Sequence, residues 1–101
     1  MAHDILIVDD EADIRLLISG ILEDEGYDTR QAANSDEALR EIDGRLPSLL
    51  VLDIWLHQSE LDGMQILDRV SKNHPELPVI MISGHGNIET AVTAIKKGAY
   101  D

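Results

Sequence analysis

The chain contains no cysteine, which excludes a disulfide scaffold, a thiolate zinc site and a cysteine nucleophile together. Basic residues are scarce: Lys+Arg number 8 against 20 Asp+Glu, for a formal net charge of -12. That balance disfavours direct binding to nucleic-acid phosphates and to anionic membrane surfaces. No apolar run approaches the roughly 20 residues of a membrane span. Met1-Ala2-His3-Asp4 has neither a basic flank nor an apolar core behind it, so no secretion signal is legible. These absences fit a cytoplasmic protein.

What is present is enough for one packed domain: 101 residues, 44% of them hydrophobic. Apolar runs lie at Ile5-Leu6-Ile7-Val8, more weakly from Tyr27 to Gln31, at Leu49-Leu50-Val51-Leu52 and at Val79-Ile80-Met81-Ile82. Most are continuous rather than alternating, as in strands covered on both faces of a parallel sheet. Helical spacing fills the intervals. Ile14, Leu17, Ile18, Ile21 and Leu22 are expected to share one buried face, with Gly26 as a left-handed stop. Asn34 and Glu37 have capping-box spacing before Ala38, Leu39 and Ile42, and Gly44 and Pro47 close that helix. Met64, Leu67 and Val70 repeat the pattern until His74-Pro75. Asn87 is placed to cap a last helix with Ile88, Ala91, Val92 and Ile95 inward. The order βαβαβαβα reads as one α/β domain with a parallel sheet. Its last strand would leave a hydrophobic edge, which implies a missing strand and helix or a second copy covering the edge by exchange.

Sites in open parallel sheets form beyond the carboxyl ends of the strands. Here the first strand ends in Asp9-Asp10 followed by Glu11, the third in Asp53, and the fourth in Ser83-Gly84. Carboxylates gathered so closely must hold protons or share a cation. An all-oxygen donor set selects Mg²⁺, Mn²⁺ or Ca²⁺, and magnesium fits best because too few carboxylates are present for a closed calcium cage. Such a site suits phosphoryl chemistry, with a carboxylate attacking phosphorus while a hydroxyl such as Ser83 bonds a phosphoryl oxygen. Each residue also has a plainer reading. Asp9 or Asp10 alone is as well explained by capping a helix, Asp53 by a strand-end turn, and Ser83-Gly84 by a turn. Trp55 is a packing residue by type, although its carbonyl lies close enough in sequence to face a metal. His3, His57, His74 and His85 lack metal-ligand spacing, and Glu23-Asp24-Glu25 reads as a solvated helix end. The convergence of acids from separate strands is what favours chemistry.

These residues resemble the receiver domain of two-component response regulators. The resemblance rests on Ile7-Val8-Asp9-Asp10-Glu11, Leu52-Asp53, Asp62-Gly63, Ile82-Ser83-Gly84-His85-Gly86 and Ala94-Ile95-Lys96-Lys97-Gly98-Ala99-Tyr100-Asp101, in that order along essentially the whole chain. More narrowly, Asp53-Ile54-Trp55-Leu56 and Ser83 to Ala91 resemble NtrX-type regulators of the NtrC group. The resemblance implies a flavodoxin-like (CheY-like) doubly wound sheet in strand order 2-1-3-4. It implies Asp53 as the phospho-acceptor and Mg²⁺ held by Asp9, Asp10, Asp53 and the Trp55 carbonyl. It also implies Ser83 as the hydroxyl that turns toward the phosphoryl group, an NtrY-like sensor histidine kinase as donor, and a downstream transcription-regulating output.

The sequence departs from the family pattern in two places. Leu56-His57 stands where most receivers carry Met-Pro, and the loop from Asp53 to Gly63 is longer than usual. The Lys-Pro expected after a fifth strand is absent, with that strand, the switch aromatic and the last helix, so residues 1–101 read as a receiver incomplete at its C-terminus. The usual dimer face is not carried over. Other classes stay open: an interaction module with an inert acidic pocket, an Asp-nucleophile phosphatase (disfavoured by Trp55 where a second acid would stand) and a flavin-binding fold, whose phosphate Asp9-Asp10-Glu11 would repel.

Overall fold

In a computed structural model, residues 3–56 and 59–82 are described. They form β1 (Asp4–Val8), α1 (Ala12–Asp24), β2 (Asp28–Ala32), α2 (Ser35–Gly44), β3 (Leu49–Asp53), α3 (Gly63–Asn73) and β4 (Val79–Ile82). The strands are all parallel, in the order β2-β1-β3-β4. This is the receiver arrangement that the resemblance implies. The helix expected after Asn87 lies outside the described residues.

The continuous apolar strands are explained by the two layers they separate. Ile5, Ile7, Leu49 and Val51 point to one face and pack with Ile18 and Leu22 of α1. Leu6, Val8, Leu50 and Leu52 point to the other and pack with Ala38 and Ile42 of α2 and Ile66 and Val70 of α3. Side chains alternate across a strand, so a strand covered on both sides must be apolar at every position. Each of these buried Ile, Leu and Val side chains contributes about 1.5–3 kcal/mol relative to exposure. β2 is different: Asp28, Thr29, Arg30 and Gln31 are polar, as suits the edge of the sheet.

Two helix faces are rotated from their expected positions. Leu17 is 50% exposed, whereas Ile18, Ser19 and Leu22 are buried. At about 100° per residue the buried arc of α1 centres between Ile18 and Leu22, and Leu17 falls outside it. Met64 is likewise exposed; α3 buries Val70 as expected and half-buries Leu67, but adds Gly63 and Ile66, because the helix starts by pressing Gly63 against the end of β3.

Helix ends follow the sequence closely. Gly26 takes φ 94 after α1. Asn34 Oδ1 accepts from the Glu37 amide at 3.0 Å, while Glu37 Oε1 reaches past the cap to accept from the Ala33 amide at 2.9 Å. The acidic run Glu23-Asp24-Glu25 is exposed at the end of α1, as expected. At the opposite end of the sheet from Asp53, the Arg30 guanidinium ties β2 to β1 and α2. It donates to Asp4 Oδ1 at 3.1 Å and Oδ2 at 2.6 Å, to Glu41 O at 2.9 Å and to Arg45 O at 2.8 Å.

Candidate functional site

The register Val8↔Leu52 between β1 and β3 brings the next residue of each strand, Asp9 and Asp53, alongside each other. Both continue the face that carries Ile7 and Val51, so both side chains leave the sheet on the same side. Asp10 follows on the turn into α1. One carboxylate oxygen from each of Asp9, Asp10 and Asp53 lies within 4.8 Å of the others. Asp9 and Asp53 are buried, at 5% and 7% exposure, and Asp10 is half-buried.

This crowding has an electrostatic cost. Asp9 is raised from 3.8 to about 6, first by burial and then by the neighbouring charges of Asp53, Asp10 and Glu11. The Glu11 amide partly opposes the rise by donating to Asp9 Oδ1 at 2.8 Å. That bond also answers the capping alternative. Glu11 is the N-cap of α1 and makes no side-chain cap bond, and Asp9 serves the cap residue's own amide while staying in the acidic group.

The donor set fits a hard divalent cation. Every candidate side-chain ligand is a carboxylate oxygen, and the half-buried position of Asp10 leaves room for the waters that magnesium retains. Trp55 is 65% exposed, so it is not the packing residue its type suggests. Its amide donates to Asp53 Oδ1 at 3.1 Å, which orients the carboxylate from the backbone that follows it. Ser83, Gly84, His85 and His57 lie outside the described residues. His3 is exposed, with its ring 6.3 Å from that of Tyr27, and His74 caps the end of α3.

Two contributors had no role assigned from the sequence, although Gly63 belongs to the Asp62-Gly63 motif. Arg15 Nη1 donates to the Asp9 carbonyl at 2.7 Å and its Nε to Gln31 Oε1 at 3.3 Å, tying α1 to the ends of β1 and β2. The available signal was the place of Arg15 in the first turn of α1, shortly after Asp9. Gly63 packs so closely on the backbone of Asp53 and Ile54 that no side chain fits, and its amide donates to Ile54 O at 3.2 Å. Asp62, beside it, forms a reciprocal capping box with Gln65.

Residues 5–101 match the family described as "Response regulator receiver domain". The nitrogen assimilation regulatory protein NtrX of Azorhizobium caulinodans is 66% identical over 101 residues, which is all of this chain and 22% of that protein. An NtrX-like response regulator of Rickettsia bellii is 57% identical over 98 residues, 97% of this chain and 20% of that protein. The chain therefore spans about a fifth of the length of these curated relatives. Among solved structures, the receiver domain of NtrX from Brucella abortus superposes with a TM-score of 0.80 at 64% identity, covering 97% of this chain and 82% of that one.

Proposed function

Because the chain belongs to the response regulator receiver domain family, we propose that it accepts a phosphoryl group on Asp53 in a Mg²⁺-dependent reaction. Asp9, Asp10 and Asp53 hold the ion, together with the Trp55 carbonyl. The observation that carries this reading is the meeting of those carboxylates within 4.8 Å at the carboxyl edge of the central strands.

An Asp53 carboxylate oxygen attacks phosphorus. The bond from phosphorus to the donor breaks, and its electron pair leaves with the donor, which is an imidazole when a phosphohistidine is the source. The Trp55 N–H holds the Asp53 carboxylate for that attack. A bound magnesium ion supplies charge neutralisation on the transferred oxygens. Water later attacks the phosphorus of the acyl phosphate, the bond from phosphorus to the Asp53 oxygen breaks, and inorganic phosphate leaves with the Asp53 carboxylate restored. Ser83 is the hydroxyl assigned to the phosphoryl group, and its inward turn is the population shift that reports the modification.

In this reading the chain works in the cytoplasm, and its donor is an NtrY-like sensor histidine kinase. The output is control of transcription by parts of a longer protein, and this acidic segment does not itself contact nucleic acid. The test is incubation of the full-length protein with Mg²⁺ and acetyl phosphate, followed by intact-mass and peptide analysis. The expected result is a phosphoryl mass gain at Asp53 that EDTA and Asp53→Asn both abolish. No gain on the wild-type protein refutes the reading and favours an interaction module with an inert pocket.

A further inference from the structure

The segment that leaves Asp53 returns to the fold through a closed ring of hydrogen bonds at the start of α2. The Ser35 amide donates to Ser59 Oγ at 2.8 Å, Ser59 Oγ donates to Leu61 O at 2.7 Å, and the Leu61 amide donates to Ser35 Oγ at 3.1 Å. Ser35 is 1% exposed. Its amide belongs to the first turn of α2, whose N–H groups have no partner within the helix, so the ring answers a need of the helix and of the returning segment at once.

From this ring a continuous path of hydrogen bonds and close contacts leads back to Asp53. Leu61 is followed by the Asp62–Gln65 capping box, which starts α3. Gly63 then lies against the Asp53 carbonyl and Ile54 Cα, with its amide on Ile54 O. The far side of the path is held by Leu56, which is buried in the core beneath α2 and α3. The backbone carrying Asp53 and Trp55 is therefore clamped between β3 and a segment whose anchor is Ser35.

We propose that Ser35 is a positioning residue for the acceptor site, acting through Ser59, Leu61 and Gly63 on the placement of Asp53 and the Trp55 backbone. It touches neither metal nor phosphoryl group. A tolerance of well under an ångström in ligand and nucleophile placement makes a distant anchor measurable as metal affinity and rate. This inference rests on the reading of Asp53 as the acceptor.

The experiment measures phosphorylation of Asp53 by acetyl phosphate in the full-length protein as a function of Mg²⁺ concentration. Ser35→Ala is expected to raise the half-saturating Mg²⁺ concentration by about tenfold, the lower end of the range for residues that orient metal ligands. Ser59→Ala should act in the same direction, the double variant should fall short of the product of the two effects, and Ser35→Thr should restore the wild-type value. Ile42→Val, which loosens the core under α2 without touching the ring, should leave that value unchanged. An unchanged value in both Ser35→Ala and Ser59→Ala, on a wild type that is labelled, overturns the proposal alone. An equal shift in Ile42→Val overturns it in favour of general stability. Absence of labelling in the wild type overturns the acceptor reading and this inference with it.

Discussion

Gly63 meets the backbone of Asp53 with no room for a side chain: a Cβ there would overlap the Asp53 carbonyl oxygen and lie 2.7 Å from Ile54 Cα. The atoms it would strike are main chain at the end of a central strand, so they cannot swing aside as a flexible side chain could. The glycine therefore sets how closely α3 approaches Asp53.

Gly63→Ala is expected to destabilise the fold by about 1–3 kcal/mol, the range for overpacking a tight contact. It should also weaken Mg²⁺ binding, because relief requires Asp53 or Ile54 to move. Urea denaturation and a Mg²⁺ titration on the same preparation check both effects. Wild-type stability in the variant would contradict the tight approach.

Asp9 makes stability depend on pH. Folded, it titrates at about 6, against 3.8 ordinarily. Between those values the folded chain holds a proton that the unfolded chain has lost. This contribution to stability is therefore present in full below about pH 4 and is lost as pH rises through 6. Its size is about 3 kcal/mol. Asp9→Asn should flatten that segment of the profile and raise stability at pH 7. Mg²⁺ should raise wild-type stability at pH 7 and lose its effect below pH 6, as protons compete for the same oxygens. Denaturation midpoints across pH 4–8, with and without Mg²⁺, read out each of these effects.

Trp55 is the one tryptophan of the chain, is exposed, and donates its amide to Asp53. Mg²⁺ should change its emission with a saturating dependence that EDTA reverses. Asp10→Ala, which removes a proposed ligand, should shift the midpoint to higher Mg²⁺ by at least roughly 10-fold. A response of the same midpoint in both proteins would separate the signal from the acidic group.

Arg30 is a structural tie rather than part of the site. Replacing it with alanine leaves Asp4 with the Arg45 Nε alone, leaves the Glu41 carbonyl with the Arg45 amide alone and removes the donor to the Arg45 carbonyl, and is expected to cost about 1–3 kcal/mol. Arg30→Lys should recover little, because an ammonium cannot span the same fork of acceptors. The Mg²⁺ response of either variant, measured well below its unfolding transition, should match wild type. A weakened response would link the two ends of the sheet.

The amino-acid sequence by itself determined the strands, the helices between them and which residues the strands deliver to their carboxyl ends. Those are local properties, carried by continuous apolar runs, by 3.6-residue spacing and by stops such as Gly26 and His74-Pro75. The meeting of Asp9, Asp10 and Asp53 was legible for the same reason, since parallel strands deliver their last residues to one edge. Only the tertiary structure decided the turn of each helix on the sheet, which exposes Leu17 and Met64 and buries Ile66. The same is true of the long-range bonds of Arg15, Arg30 and Ser35, whose partners lie far away in sequence. Periodicity leaves a helix face uncertain by a residue or so in rotation. Hydrogen bonds across the fold depend on distances that no local pattern encodes.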